Sequence, residues 1–286
     1  MIHASAAIAV ARDVGALRAT VKQWRNAGDK VALIPTMGAL HEGHASLVRQ
    51  GQEEARRTIV SIFVNPTQFA PTEDFAAYPR TFETDCAMLA AIGADLVYAP
   101  TAAVMYPPGF SSTVSVGGPA TVGLEDAYRP QFFTGVATIV AKLLIQSAPD
   151  VALFGQKDYQ QLQVIRHMVR DLDLPVTIMG AETIREPDGL AMSSRNRYLS
   201  ETERKTAAFI PAALRDCAAA LRDGSAPAPT LSEARARLER AGFVLDYLEL
   251  RDAETLAPVA ALSGQPARLL VAAKIGTTRL IDNWAV

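Results

Sequence analysis

The stretch VALIPTMGALHEGHASLVR, residues 31–49, predicts a strand, a tight turn and a helix in immediate succession. The apolar run at its start is typical of a buried parallel strand, and Pro35 ends that run. Gly38 and Gly43 punctuate the turn, and the helix is expected to continue toward Arg57. In a doubly wound α/β fold, such a junction presents main-chain N–H groups and the positive end of a helix dipole to a phosphate.

Two histidines, His41 and His44, lie at this junction on either side of Gly43. Positions three apart on a starting helix face the same way, and the glycine between them lets a ligand approach the main chain. Two imidazoles beside a helix N-terminus can stabilise charge that develops on a phosphoryl group. Because the chain has only 4 histidines, this pairing favours a catalytic site over two solvent-exposed caps. The spacing differs from the HExxH zinc pattern, and no cysteine lies nearby.

The composition is that of an ordinary globular protein, with 49% hydrophobic and 20% charged residues and a net charge near −2. This charge indicates no nucleic-acid partner and no anionic membrane surface, and no apolar run is long enough to span a bilayer. Cys86 and Cys217 form no motif, which predicts free thiols and a cytoplasmic location. The N-terminal stretch lacks a basic segment and a long apolar segment, so no signal peptide is expected.

The alternation of strands and helices predicts an α/β fold with a Rossmann-like parallel sheet in the first part of the chain. The predicted strands are residues 31–34, 58–64, 95–98, 151–154 and 176–179, and the predicted helices are residues 14–27, 45–57, 81–92, 135–146 and 157–172. A polar loop is expected after Asn65, up to about Arg80. Residues 99–134 are rich in proline and glycine, which predicts a covering loop with at most a short strand at 113–116.

The character of the chain changes near Ile184 to an α+β pattern with antiparallel pairs. Its predicted elements are a polar loop at 185–199, a helix at 201–221, a flexible connector at 223–229, a helix at 231–241 and strands at 244–251, 268–275 and 278–283. We therefore expect a Rossmann-like domain over residues 1–184 and a smaller α+β C-terminal lid domain over residues 185–286.

Polar side chains also follow two further strands of the predicted sheet. Asn65 and Gln68 offer uncharged groups for a hydroxyl or a carboxylate, although an Asn-Pro turn with a solvated glutamine is the alternative. Lys157 can reach a phosphate, Asp158 can accept from ribose hydroxyls, and Gln161 lies one turn further on the same face. The alternative is a capping aspartate beside a surface lysine. Because the carboxyl ends of parallel strands meet at one edge, these groups are expected near the histidines.

The segment MSSRNR, residues 192–197, carries two hydroxyls and two guanidiniums on the later polar loop. These groups suit a polyphosphate, and a loop that bears them often closes on a nucleotide, although an exposed basic loop is the alternative. With the histidines and Lys157 they predict a nucleoside triphosphate site, in which Gln68 and Gln161 are left for an uncharged or acidic second substrate. No Walker A pattern occurs, which excludes a P-loop enzyme.

Five segments, in this order and at these spacings, resemble the pantoate–β-alanine ligase (pantothenate synthetase) family of the HxGH nucleotidyltransferase superfamily. They are PTMGALHEGH, SIFVNPTQF, YPRT, FGQKDYQQL and GLAMSSRNRYL. The resemblance implies a Rossmann-like N-terminal domain, a small C-terminal domain and a homodimer. It implies that ATP and pantoate form pantoyl adenylate and pyrophosphate with Mg²⁺, after which the amine of β-alanine attacks to give pantothenate and AMP.

The resemblance also assigns roles to the matching residues of this chain. The implied catalytic residues are His41, His44, Lys157 and Arg195. The implied ATP-binding residues are Pro35, Thr36, Met37, Gly38, His44, Gly155, Lys157, Asp158, Met192, Ser193, Ser194 and Arg195. The implied pantoate-binding residues are Met37, Gln68 and Gln161.

Two positions depart from the family pattern. Asp85 matches an acid that lies near Mg²⁺ in the family, but its neighbour, often acidic too, is Thr84. Where the family often reads R-P-G-H-F, this chain reads R-P-Q-F-F from Arg129, so Phe132 replaces a histidine. We expect Phe132 to exclude water from the adenylate and Arg129 to supply charge near the β-alanine carboxylate. The alternative is that Phe132 packs under the helix that follows.

Two other functions remain open on the sequence alone. One is a different adenylyl- or cytidylyltransferase of the same superfamily, and the other is a nucleotide-binding regulator without catalysis. The intact histidine pair, Lys157 and Arg195 favour an enzyme. The expected partners are the small molecules ATP, pantoate and β-alanine and a second copy of the chain, with neither nucleic acid nor membrane.

Overall fold

A computed structural model describes residues 7–70, 73 and 75–286. Its first part is a six-stranded sheet in the order β1-β4-β3-β2-β5-β6, and all neighbouring strands are parallel. The strands are β1 Ala9–Ala11, β2 Val31–Thr36, β3 Arg57–Ile62, β4 Leu96–Tyr98, β5 Val151–Gly155 and β6 Thr177–Ala181. From β2 the chain adds β3 and β4 on one side, and from β5 it adds β6 on the other, while β1 lies at the outer edge beside β4. The switch point of the sheet, where such folds bind ligands, therefore lies between β2 and β5.

Helices cover both faces of this sheet, which is why the first four residues of β2 are completely buried. The helices of this part are α1 Val14–Asn26, α2 Glu42–Glu54, α3 Phe82–Ala91, α4 Ala102–Met105, α5 Glu125–Tyr128, α6 Phe132–Ser147 and α7 Tyr159–Asp171. One core contains side chains of α1, α6 and α7, such as Leu17 and Leu162. The other contains side chains of α2 and α3, such as Val48 and Leu89.

The second part is a three-stranded antiparallel sheet in the order β7-β8-β9 with three helices packed on it. Its elements are α8 Glu201–Ala207, α9 Phe209–Arg222, α10 Pro227–Arg240, β7 Val244–Asp252, β8 Ala267–Ile275 and β9 Thr278–Ala285. They enclose a separate apolar core around Leu214, Leu238 and Leu269. The predicted α/β fold, with a parallel-sheet N-terminal part and a smaller α+β C-terminal part, is confirmed.

Several predicted elements differ from the structure for local reasons. The helix expected at 201–221 is two helices, because Pro211 has no N–H to bond to the carbonyl four residues earlier. The connector expected at 223–229 is partly helical, since α10 begins at Pro227, and proline is well suited to a first helical position. The helix expected from Gly135 begins three residues earlier, at Phe132. The three-residue strand β1 was not predicted.

The predicted short strand at 113–116 is wrong, since the described chain has no strand there. The Val114 N–H donates to the Thr138 hydroxyl at 2.9 Å instead of to a neighbouring strand. In the polar loop after Asn65, residues 66–68 form a turn of 3-10 helix, and positions 71, 72 and 74 lie outside the described residues, as do the first six. Within the described part of the chain, no helix is both long and apolar enough to cross a membrane.

Candidate active site

A cleft of about 1140 Å³ opens at the switch point, beyond the carboxyl ends of β2 and β5, and residues of the C-terminal part also line it. Most residues predicted from the sequence line this cleft. They are Pro35, Thr36, Met37, His41, His44, Gln68, Arg129, Phe132, Gly155, Lys157, Asp158, Gln161, Met192, Ser193, Ser194 and Arg195. In the described part of the chain, the wall of the cleft does not include the two other predicted residues, Gly38 and Asp85.

The turn between β2 and α2 has two successive residues with positive φ, Gly38 at +84° and Ala39 at +52°. The carboxylate of Asp85, only 3% exposed, holds this turn in place. Its Oδ2 accepts from the Ala39 N–H at 3.0 Å, and its Oδ1 accepts from the Leu40 N–H at 2.9 Å. The Thr81 hydroxyl donates to the same carboxylate at 3.1 Å. Asp85 therefore binds the main chain of the turn, and its assignment to a metal stays a prediction.

The two histidines cap the N-terminus of α2 and each other. The Gly43 N–H donates to Nδ1 of His41 at 3.2 Å, and the His41 N–H donates to Nδ1 of His44 at 3.3 Å. This is a capping box in which histidines take the places of the usual serine and glutamate. Since Nδ1 accepts in both rings, the neutral form of each imidazole carries its proton on Nε2. The two ring centroids lie 4.2 Å apart.

Gly43 is required by this geometry. A Cβ at this position would lie 2.9 Å from Cε1 of the His41 ring, which is closer than real Cβ contacts allow. Any side chain at position 43 would therefore displace the His41 ring, so the glycine of the H-x-G-H pattern fixes the histidine pair as well as opening the main chain to a ligand.

Both imidazoles are neutral at pH 7. The pKa of His44 is lowered from 6.5 to about 3, mainly by burial, with smaller contributions from the neighbouring His41 and Lys157. Burial also lowers the pKa of His41 from 6.5 to about 4, with Lys157 and Arg197 acting in the same direction and Glu186 opposing them. The pair therefore offers two neutral N–H donors beside a cationic lysine, next to the positive end of α2.

Met37 and Gln68, to which the family resemblance assigns pantoate binding, are in contact at one side of the cleft. The Gln68 side-chain amide donates to the Met37 sulfur at 2.9 Å, and Asn65 donates to Oε1 of Gln68 at 3.1 Å. Asn65 also donates to the carbonyl of Gly135 at 3.2 Å. A Cβ on Gly135 would lie 2.5 Å from the Thr67 carbonyl oxygen, so this glycine lets α6 approach the turn closely.

The segment at residues 192–195 is held by hydrogen bonds and is not a freely exposed basic loop. The Ser193 hydroxyl accepts from the Arg195 N–H at 3.3 Å and caps a turn of 3-10 helix, Ser194–Tyr198. The Ser194 and Tyr78 hydroxyls lie 3.2 Å apart. The Asn196 side-chain amide donates to Glu186 at 2.8 Å. These contacts fix the main chain of the segment at the same cleft that His41 and His44 line.

Arg129 and Phe132 form one unit at the wall of the cleft. The guanidinium carbon of Arg129 lies 3.6 Å from the centre of the Phe132 ring, and the arginine also binds Glu73 at 3.1 Å and Glu125 at 3.4 Å. Phe132 is 9% exposed and packs on Phe133 with ring centroids 5.0 Å apart. Phe132 thus packs in the apolar core and also lines the cleft. This position is compatible with both alternatives from the sequence, a seal against water and a core residue under the helix.

The C-terminal part contributes groups that sequence reasoning missed. Arg279 donates to both carboxylate oxygens of Glu125 at 2.8 Å and to Asp246 at 2.7 Å, and the Tyr247 hydroxyl donates to Glu125 at 2.7 Å. Burial would raise the pKa of Glu125, but its bonds to Arg279 and Tyr247 outweigh burial and hold the pKa below its usual range. No local pattern marks these contacts, since Glu125 lies more than 100 positions from both Tyr247 and Arg279.

Known proteins of one family are similar to this chain over nearly its whole length. The model of the pantoate–β-alanine ligase family matches residues 9–285. The pantothenate synthetase of Bradyrhizobium sp. strain BTAi1 is 57% identical over 277 residues, which is 97% of this chain and 98% of that protein.

Solved structures are similar over nearly the whole chain. Pantothenate synthetase from Thermus thermophilus has a TM-score of 0.91 at 43% identity and covers 97% of this chain and 99% of its own. The pantoate–β-alanine ligase from Francisella tularensis, complexed with β,γ-ATP and β-alanine, has a TM-score of 0.80 at 32% identity and covers 97% of each chain. With its cleft, its paired histidines and these matches, the chain belongs to the pantoate–β-alanine ligase family.

Proposed function

We propose that the cleft carries out the ATP-dependent joining of pantoate to β-alanine in two steps, with the histidine pair as the centre of the first. A carboxylate oxygen of pantoate attacks the α-phosphorus of ATP, the bond from that phosphorus to the bridging oxygen breaks, and pyrophosphate leaves. Negative charge develops on the phosphoryl oxygens. The Nε2–H donors of His41 and His44, the N-terminus of α2 and the ammonium of Lys157 stabilise that charge.

The rest of ATP is held by groups on both sides of the histidines. Ser193, Ser194 and Arg195 bind the triphosphate, and Gly155 and Asp158 bind the ribose. The main chain around residues 35–38 lines the nucleotide site. This assignment is supported by the position of all but one of these residues at the cleft wall, Gly38 lying in the turn behind it.

Pantoate lies on the side of Gln68, Gln161 and Met37. The two glutamine amides bind its hydroxyl and carboxylate groups. An apolar wall from α6 that includes Val136 and Val140 faces the same cleft and suits the two methyl groups of pantoate. This placement brings the carboxylate of pantoate toward the histidine turn, which positions it for attack.

The second step depends more on the placement of β-alanine beside the adenylate than on acid–base catalysis. The deprotonated amine of β-alanine attacks the acyl carbon of pantoyl adenylate, the acyl–oxygen bond breaks, and AMP leaves. Arg129 supplies positive charge near the carboxylate of β-alanine, and Phe132 keeps water from the anhydride. Support for these two roles comes from the stacked pair of side chains at the cleft wall.

Mg²⁺ accompanies ATP in this proposal, and we propose that the carboxylate of Asp85 binds the main chain of the turn rather than this ion. The oxygens of Asp85 already accept from two main-chain N–H groups and from Thr81. Among residues 7–70, 73 and 75–286, no group of three or more His, Cys, Asp or Glu side chains could hold a metal ion. The ion therefore depends on the phosphates for most of its ligands.

Two further properties belong to the proposal. A homodimer is implied by the family resemblance, and a molar mass near twice 30.6 kDa in solution would support it. A cytoplasmic location is supported by the cysteines, since Cys86 and Cys217 are both free thiols.

The role of the histidines is tested by His44→Ala, with His167→Ala as the matched control. His167 lies on α7 and does not line the cleft. We expect His44→Ala to lower single-turnover formation of pantoyl adenylate by roughly 10²-fold or more, because a donor to the transition state is lost. The control should react like the parent. Near-normal adenylate formation by His44→Ala would refute the proposed mechanism.

A further inference from the structure

The turn that carries Lys157 is held by the C-terminal part of the chain. It is a 3-10 turn, Gln156–Asp158, between β5 and α7. The side-chain amide of Asn283 on β9 donates to the carbonyl of Gln156 at 2.8 Å and to the carbonyl of Lys157 at 2.9 Å. Asn283 is only 4% exposed, so water does not compete for these bonds.

The orientation of the Asn283 amide is fixed by its other partner. Its Oδ1 accepts from the guanidinium of Arg268, which can only donate, so Nδ2 must face the two carbonyls of the turn. Arg268 is itself held by stacking, with its guanidinium carbon 3.9 Å from the centre of the Tyr159 ring. Tyr159 is the first residue of α7 and directly follows the turn, so the residue that orients Asn283 is itself packed against the end of the turn.

The same strand also holds the segment that bears the serines and Arg195. Asp282, the residue before Asn283, accepts both arms of the Arg185 guanidinium at 2.7 and 3.0 Å. Arg185 donates in addition to the carbonyl of Gly189 at 3.0 Å and forms a β-bridge with Ala191, next to Met192. Two neighbouring residues of β9 thereby contact both the turn that carries Lys157 and the chain that leads into the 192–195 segment.

We propose that Asn283 is a positioning residue for adenylation, which acts by holding the main chain at Lys157 so that its ammonium meets the phosphates. The inference rests on the proposed role of Lys157. Without the amide, the two carbonyls lose their buried donors and the turn moves away from the histidines. Small displacements of a positioned group are costly, and about 1 Å can lower a rate by about 10²-fold.

Pantoate-dependent exchange of pyrophosphate into ATP measures the step concerned. We expect Asn283→Ala to lower the maximal exchange rate roughly 10-fold or more. Asn283→Asp keeps the shape but cannot donate to the carbonyls, and it should lose at least as much. Val271→Ala is the control, since Val271 is fully buried in the same sheet beside Asp282 but does not line the cleft. It should lower the melting temperature and keep the exchange rate.

A double-mutant cycle with Lys157→Ala decides between positioning and a purely structural role. If Asn283 acts through Lys157, adding Asn283→Ala to Lys157→Ala should lower the rate little further. The same fold-loss in both backgrounds would overturn the inference, as would a parent-like rate for Asn283→Asp. If Lys157→Ala alone keeps the parent rate, the proposed role of Lys157 fails instead, so the two failures can be told apart.

Discussion

Acidification should destabilise this protein through its two capping histidines. The folded-state pKa of His44 is about 3 and that of His41 about 4, both below the ordinary value of 6.5. As the pH falls, the unfolded chain therefore binds protons that the folded chain does not. The contribution of the two histidines to the unfolding free energy is fully present above the unfolded-state pKa near 6.5. It declines as the pH falls from there toward the two folded-state pKa values.

The size of the effect follows from these values. Between pH 7 and pH 5 the folded protein keeps His44 neutral, and at about 1.4 kcal/mol per pH unit the loss is about 2 kcal/mol for this residue. His41 is less deeply buried and opposed by Glu186, so its share is smaller. Together the pair should cost about 2–4 kcal/mol of unfolding free energy over this interval.

The double variant His41→Asn/His44→Gln serves as the control for the parent protein, because it lacks both titrating imidazoles. Asparagine is a good N-cap residue and glutamine a normal third residue of a capping box, so the helix stays capped while the titration disappears. Urea unfolding at pH 7, 6 and 5, followed by the fluorescence of Trp24 and Trp284, measures the unfolding free energy of both proteins. The parent should lose about 2–4 kcal/mol more than the variant on acidification. Parallel losses in the two proteins would refute the assigned burial and protonation of the pair.

The remaining predictions concern the second substrate, the cleft wall and the metal. Gln161→Ala should weaken pantoate binding by about 1–3 kcal/mol and leave ATP binding nearly unchanged in isothermal titration, and equal losses for both ligands would contradict this role. Phe132→Ala should lower unfolding free energy by about 3–5 kcal/mol and also release AMP without pantothenate, whereas a strict one-to-one product ratio would exclude the seal. Asp85→Asn should destabilise the turn by about 1–3 kcal/mol with an unchanged Mg²⁺ requirement. If stability is kept but more Mg²⁺ is needed, Asp85 is a metal ligand after all.

The sequence predicted those features whose physical cause is local. The β2–α2 junction could be predicted directly, because a buried apolar run followed by two glycines leaves few other conformations. The expectation that Pro35 ends the strand was wrong, since β2 continues through Pro35 to Thr36. The alternation of apolar runs and helices along the chain predicted a parallel sheet, and the polar residues after each strand could be placed at one edge of it. The position of the histidine pair and Lys157 at one cleft could therefore be predicted from the sequence alone.

Features that depend on distant partners could not be found in this way. The bonds from Asn283 to the Lys157 turn and from Arg279 to Glu125 join residues more than 120 positions apart, and no spacing pattern marks them. The bond from the Ala39 N–H to the carboxylate of Asp85 could not be predicted either, because only the fold brings these two residues together. The mutual capping of the histidines, and with it their protonation, likewise needed the geometry of the turn.

The central claim is that this cleft activates pantoate as an adenylate at the histidine turn. The most direct measurement incubates the purified protein with ATP, Mg²⁺ and radiolabelled pyrophosphate, with and without pantoate and β-alanine. The account predicts that exchange of label into ATP requires pantoate but not β-alanine, and that adding β-alanine yields AMP and pantothenate in equal amounts. Exchange without pantoate, or AMP formation without pantothenate when all substrates are present, would contradict it.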